Sequence, residues 1–166
     1  MSINLKKNIF HMSKNKYLSL FLIILITSLA SVIGGFTTAS FKEPWYSEII
    51  LPSFNPPSWV FAPVWTTLYI MMSIAIWKIW INSFDTKILK LYLIHLFFNG
   101  TWSIVFFGFH QISLALINLI IILFFIFLLM KRYLSRDKIS FYLMVPYLIW
   151  SIYAFILNTS IVILNS

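Results

Sequence analysis

Ile112–Met130 reads ISLALINLIIILFFIFLLM, a run with no charged residue that closes on Lys131 and Arg132. The hydrocarbon core of a bilayer is about 30 Å thick, and a helix rising about 1.5 Å per residue crosses it in about 20 residues. The run is continuously apolar, whereas a transmembrane barrel strand alternates between a lipid face and a lumen face. Backbone amides in hydrocarbon must bond within their own segment, so the run reads as a spanning helix. Four more runs of the same kind lie to either side of it. The expected spans are 17–39, 58–80, 88–109, 112–131 and 141–164. The fold class that follows is an all-α membrane protein, a five-transmembrane-helix bundle, with residues 1–166 forming a single integral membrane domain.

Composition agrees. Hydrophobic residues make up 61% of the 166-residue chain and charged residues 10%, against roughly 25% charged in an ordinary soluble domain. Such a chain has too little polar surface to face water and takes the lipid bilayer as its solvent. There is no cysteine, which excludes disulfides, thiolate metal sites and a cysteine nucleophile. The first run follows a basic stretch (Lys6, Lys7, Lys14, Lys16), as a signal peptide would. At about 20 residues it exceeds the usual 7–15-residue signal core, so it reads as a retained helix.

The net charge of +8 sits between the apolar runs, a pattern that orients a chain in a membrane and does not call for nucleic acid. Eleven of the twelve basic residues flank the N-terminus and the second and fourth connections: Lys6, Lys7, Lys14, Lys16, Lys78, Lys87, Lys90, Lys131, Arg132, Arg136 and Lys138. The first connection, 40–57, carries only Lys42. Five spans place these two groups on opposite sides. The positive-inside rule then puts the N-terminus in the cytoplasm and the C-terminus outside, and the pattern favours a bacterial plasma (inner) membrane.

No span carries a charge in its middle, which argues against a pump or ion-coupled transporter. His95, the one imidazole inside a span, reads as a hydrogen-bonded packing residue. Small residues Ala30, Ser31, Gly34 and Gly35 near the end of the first span suggest close helix packing. The fourth span, interrupted mainly by Asn118, is expected to be the most lipid-exposed helix or part of an oligomer contact.

Aromatic residues are 19% of the chain, with seven tryptophans. Trp45, Tyr46, Trp59, Trp77 and Trp80 fit an interfacial belt. Trp65, Trp102 and Trp150 fit it less well, because polar or small residues accompany each at helical spacing. Trp65 and Tyr69 are four apart on the second span, just after Pro63. His95, Asn99, Trp102, Ser103 and Phe106 share one face of the third span. Pro146, Trp150, Tyr153, Ala154, Leu157 and Asn158 do much the same on the fifth. Polar groups in spans face the bundle interior. These stripes therefore either wall a flat apolar slot for a planar hydrophobic ligand or simply glue the helices together, and the pattern alone supports both.

A resemblance adds to this reading. Trp45-Tyr46, Leu51-Pro52, Asn55-Pro56-Pro57-Ser58-Trp59-Val60-Phe61 and Val64-Trp65-Thr66-Thr67-Leu68-Tyr69 resemble the signature of the TspO/MBR family. That family comprises bacterial tryptophan-rich sensory proteins and mitochondrial translocator proteins, formerly called peripheral benzodiazepine receptors. Phe98-Asn99-Gly100-Thr101-Trp102-Ser103 with Phe106-Phe107-Gly108 is similar to its third helix. Pro146-Tyr147-Leu148-Ile149-Trp150 with Ala154 and Leu157-Asn158 is similar to its fifth. The resemblance implies a five-helix bundle, often a homodimer, that binds porphyrins such as protoporphyrin IX, haem and sometimes sterols. No obligatory cofactor or metal is implied. The ligand pocket would lie under a capping loop at 40–57 and be lined by Trp45, Trp59, Trp65, Tyr69, Asn99, Trp102, Trp150 and Ala154. The chain departs from the family at Phe54, where many members have tryptophan. It also has no Lys or Arg after Asn158, where translocator proteins carry a cholesterol-recognition pattern.

The function expected first is a tetrapyrrole-binding membrane protein that senses, buffers or passes on porphyrin or haem. An alternative is a light-dependent porphyrin-degrading enzyme in which Trp65 and Trp150 exchange electrons with excited porphyrin. A third is a structural or regulatory interaction protein whose aromatics only pack. Turnover separates the first two, and discrimination between tetrapyrroles and other greasy dyes separates both from the third.

Overall fold

The computed structural model describes residues 15–166. The basic residues Lys6, Lys7 and Lys14, part of the topology argument, lie outside the described residues. The elements in chain order are α1 (Lys16–Phe41), a short α2 (Trp45–Glu48), α3 (Ser58–Ser83), α4 (Thr86–Ser103), a π-turn (Ile104–Gly108), α5 (Ile112–Leu134) and α6 (Lys138–Leu164). Five helices among the described residues are long and apolar enough to cross a membrane: α1, α3, α4 with its π-turn, α5 and α6. The bundle of five spanning helices expected from the hydropathy runs is what the chain forms.

Local chemistry sets the helix ends. The Asn15 side chain accepts from the backbone N–H groups of Tyr17 and Leu18 at 3.1 and 3.2 Å and starts α1. Asp85 does the same for α4 through Lys87 and Ile88, and Asp137 for α6 through Ser140. Each satisfies amides that have no partner one turn back. Pro57 precedes α3, where a missing N–H costs nothing. Phe84 ends α3 with φ 47°, a left-handed turn made without glycine.

The helices close into a ring in the order α1, α3, α6, α5, α4, with α4 returning to α1. The half of the ring that carries the basic residues is solid. Met72, Ala75, Ile76, Ile79, Ile88, Ile126, Leu129 and Met144 fill it with almost no exposure. Two ion pairs tie its rim, Arg136 to Asp85 at 2.7 Å and Lys78 to Asp137 at 3.6 Å. Hydrogen bonds stitch the helices where apolar burial gives no drive in lipid. Thr27 meets the Tyr92 hydroxyl at 2.7 Å, joining α1 to α4. The Trp77 indole donates to the Lys16 carbonyl at 3.1 Å. Gly100 lets α4 approach α1: a Cβ built there would lie 3.6 Å from Ala30 Cβ.

Two features differ from the expectation. The fourth span, α5, is not the most lipid-exposed helix. Of its apolar window 33% is buried against 28% for α1, because Ala115, Leu119, Ile122, Ile126, Leu129 and Tyr133 form a continuous stripe against α4 and α6. Its hydrophobicity all round hid that stripe. The exposed apolar surface of α1 includes Phe21, Leu25, Leu29, Val32, Ile33 and Phe36. The second difference is the π-turn. The Phe109 N–H bonds the Ile104 carbonyl at 2.9 Å, and the wider turn shifts the helical register. Adjacent Phe106 and Phe107 both become buried there, as insertions of this kind allow.

Candidate functional site

The half of the ring away from the basic rim is hollow. A cavity of about 480 Å³ is enclosed there by all five spanning helices and the first loop. Each wall is a helical stripe: Ser31, Gly34, Gly35 and Thr38 on α1; Phe61, Ala62, Trp65 and Tyr69 on α3; Asn99, Trp102, Ser103 and Phe106 on α4; Leu119 and Ile122 on α5; Trp150, Ser151, Ala154, Leu157 and Asn158 on α6. The spacing of three and four residues in each set is what puts its members on one helix face. Gly35 and Ala39 on α1 and Ala62 and Thr66 on α3 line the cavity and are exposed, so it is open along the α1–α3 seam.

Three indoles set the shape. Trp102 stacks on Phe106 with ring centroids 5.0 Å apart and planes 19° from parallel. Trp65 lies against Tyr69 at 5.5 Å and edge-on to Tyr147 at 6.2 Å. Trp150 meets Phe61 edge-on at 6.0 Å and Tyr153 at 5.5 Å. Each ring is braced by a second aromatic, so the walls hold their orientation.

Below the indoles lies a buried polar chain. The Tyr69 hydroxyl donates to Asn99 Oδ1 at 2.5 Å, Asn99 Nδ2 donates to the Tyr147 hydroxyl at 2.8 Å, and that hydroxyl lies 2.8 Å from His95 Nε2. The Tyr147 hydroxyl thus joins Asn99 and His95, accepting from the first, while the tautomer of His95 decides which atom donates in the second contact. His95 is fully buried and does not line the cavity; it is the hydrogen-bonded packing residue the sequence suggested. Tyr69 and Asn99 present this chain to the cavity. The Trp102 indole N–H is buried with no partner among the described residues. Trp102 thus turns its ring face, and not its N–H, to the cavity.

The first loop is strapped across the cavity's outer end. Tyr46 is buried against Phe106 and Phe107, and its hydroxyl donates to Asn55 at 3.1 Å. Burial pushes the Tyr46 phenol above its ordinary value. The Tyr153 hydroxyl donates to the Phe54 carbonyl at 2.7 Å. Asn165 accepts from the Ile50 N–H and donates to the Ile50 carbonyl, each at 2.9 Å. Loop and α6 are thus held together at two points.

Of the eight residues singled out by the resemblance, Trp65, Tyr69, Asn99, Trp102, Trp150 and Ala154 line the cavity. Trp45 and Trp59 do not. Trp45 stacks on His110 at 4.4 Å and packs on the outer side of Phe106, so Phe106 stands between it and the cavity. Trp59 sits in the first turn of α3, 74% exposed, about 100° round the helix from its lining neighbour Ser58; it fits the interfacial belt. Sequence reading missed the wall contributed by α1. Its small residues were legible as a stripe, but a small residue serves close packing and a hollow equally well. The structure finds both: a Cβ on Gly34 would lie 3.2 Å from Ser103 Oγ, the close packing expected, whereas one on Gly35 would meet nothing within 4 Å.

The model of the TspO/MBR family matches residues 21–164. The chain belongs to the TspO/MBR family. It is 33% identical over 149 residues to the tryptophan-rich protein TspO of Archaeoglobus fulgidus, covering 86% of this chain and 97% of that protein. It is 34% identical over 144 residues to the tryptophan-rich sensory protein of Cereibacter sphaeroides, covering 86% and 91%. To the human translocator protein it is 31% identical over 140 residues, covering 79% and 83%. The matched region of this TspO/MBR protein contains every residue that lines the cavity.

Proposed function

We propose that this TspO/MBR protein binds a planar tetrapyrrole, porphyrin or haem, within the membrane and senses, buffers or passes it on. The observation that carries the reading is the 480 Å³ cavity walled by Trp65, Trp102 and Trp150. Ligand pockets run from about 300 to 1,000 Å³, mostly apolar with a few convergent polar groups. Flat aromatic walls suit a flat conjugated ring, and the Tyr69–Asn99 pair is a polar group beside it. Among the described residues no histidine or methionine lines the cavity, and the chain has no cysteine. The site therefore offers a haem iron neither imidazole nor thioether, and recognition would rest on the macrocycle itself.

A light-driven reaction is a second reading, supported by the presence of Trp65 and Trp150 in the same wall. The basic rim formed by Lys78, Lys87, Lys131, Arg132, Arg136 and Lys138 supports an N-terminus in the cytoplasm, with a bacterial plasma membrane as its setting. The exposed apolar surfaces of α1 and α5 are available for a homodimer contact.

The test is a titration of protoporphyrin IX into protein in nanodiscs, read by tryptophan quenching, in the dark and then under light. Trp65→Phe, Trp150→Phe and a non-planar hydrophobic dye serve as comparisons. Saturable dark binding, weakened by either substitution, supports the pocket. Light-driven loss of porphyrin absorbance, abolished by either substitution, supports the enzyme. Equal binding of the control dye would leave the aromatics as packing.

A further inference from the structure

Among the described residues one cation, Lys42, lines the cavity. Lys42 closes α1, and its side chain, only 24% exposed, bends over the cavity mouth; a lysine at a helix end more usually stretches its ammonium toward water. Nζ donates to Ser58 Oγ, in the first residue of α3, at 2.9 Å. It also lies 5.0 Å from the centre of the Tyr46 ring, a cation–π contact that helps to hold it in place. Glu43 Oε1 is 3.5 Å away. An ammonium has three N–H donors; Ser58 takes one and Glu43 attracts a second. Lys42, Glu43, Tyr46 and Ser58 all line the mouth, while the walls below are aromatic and aliphatic. The cavity is therefore amphipathic from end to end, with an apolar slot and a single positive charge at its rim.

We propose that Lys42 anchors a carboxylate on the edge of the planar ligand, so that the cavity selects acidic tetrapyrroles over their neutral esters. This rests on the tetrapyrrole reading of the cavity. The ring fills the slot and its acidic edge points to the mouth. The incoming carboxylate takes the place of Glu43 at Lys42. Glu43 is itself solvated, with its side chain 56% exposed, and its other oxygen accepts from the Ser47 hydroxyl. It can give up Lys42 without stranding a buried charge, so the exchange costs little. Glu43 thus competes with the ligand for the same ammonium.

The experiment compares protoporphyrin IX with its dimethyl ester, each titrated in the dark into nanodisc-held wild type, Lys42→Gln, Lys42→Arg and Glu43→Gln. A charge-assisted hydrogen bond predicts that Lys42→Gln binds the diacid about tenfold more weakly than wild type and the ester unchanged. Lys42→Arg restores most of the diacid affinity. Glu43→Gln tightens diacid binding, and added salt weakens the diacid alone. Ester and diacid binding equally well to wild type overturns the role of Lys42 and leaves the pocket standing. An equal loss of both ligands in Lys42→Gln also overturns it, marking Lys42 as structural. Failure of both ligands to saturate wild type overturns the anchor together with the tetrapyrrole reading.

Discussion

Tyr147→Phe removes one oxygen from the best-connected polar site in the bundle. The ring is fully buried and its packing against Trp65 is kept, so no cavity opens. Two hydrogen bonds disappear, one with His95 Nε2 and one from Asn99 Nδ2, both 2.8 Å long. Side-chain hydrogen bonds between membrane helices average about 0.6 kcal/mol each. His95 is then left without any partner, since its Nδ1 already has none among the described residues, and stranding a buried polar group costs about 1–3 kcal/mol. The expected destabilisation is about 2 kcal/mol, above the roughly 1.2 kcal/mol of two average bonds because His95 is also stranded. Reversible unfolding in mixed dodecyl sulfate micelles measures it. His95→Leu removes the same His95–Tyr147 bond while leaving Asn99 on the hydroxyl, so the double variant should cost less than the sum of the two, with a coupling of about 1 kcal/mol. A Tyr147→Phe protein as stable as wild type, or strict additivity in the cycle, would refute the network as a structural element.

Other perturbations follow from the same geometry. Trp102→Phe should leave stability nearly unchanged, because the indole N–H it removes has no partner among the described residues, yet weaken porphyrin binding several-fold in the quenching titration, because it trims the aromatic surface that lines the cavity. Gly35→Ala should be neutral in unfolding experiments and Gly100→Leu strongly destabilising, since the first position faces open space and the second faces the Ala30 backbone. Acid should loosen the basic rim. The Asp85 carboxyl is held below its ordinary value of 3.8 by the Ile88 N–H first, against partial burial, with the Lys87 N–H and Arg136 adding to it. For Asp137, burial raises the value, but the Ser140 hydroxyl and N–H and the Lys78 charge outweigh it, and the net shift is downward. Depressed carboxylates stabilise the fold above their unfolded values and lose that contribution as pH falls through the folded ones. Stability should therefore hold from neutrality to about pH 4 and fall below it, with a shallower fall in Asp85→Asn and Asp137→Asn. Because the chain has no cysteine, Ser135→Cys and Ser166→Cys report orientation without background: an impermeant maleimide added outside cells should label the second and spare the first.

Hydropathy made the five spanning helices legible, because lipid demands long uninterrupted apolar runs and the chain supplies them. Helical spacing then made the α4 and α6 faces legible: Asn99, Trp102 and Ser103, and Trp150, Ala154 and Asn158, do share one interior. Three things were hidden for physical reasons. Periodicity carries no sign of a π-turn, so the inward turn of both Phe106 and Phe107 could not be read from a 3.6-residue repeat. A helix as uniformly apolar as α5 shows no contrast between its lipid face and its packed stripe. Trp45 and Trp59 belong to the same motif as Trp65, but the helix start at Ser58 sets the faces of Trp59 and Trp65 alone, and Trp45 is held away by its packing on His110 and Phe106. Lys42 was visible as the lone basic residue of its loop, but its fold over the cavity depends on Ser58 and Tyr46, sixteen and four residues further on.

The central claim is that the ligand occupies the interior cavity and not the lipid-facing aromatic surface. Ala154→Phe tests it most directly, because Ala154 lines the cavity on α6 and a phenyl ring there obstructs the slot from within while leaving every exposed aromatic in place. The measurement is the dark affinity for protoporphyrin IX of Ala154→Phe against wild type, with unfolding of both checked in the same nanodiscs. A folded variant that has lost saturable binding is the result expected. A folded variant that binds as tightly as wild type would place the ligand elsewhere and contradict the account.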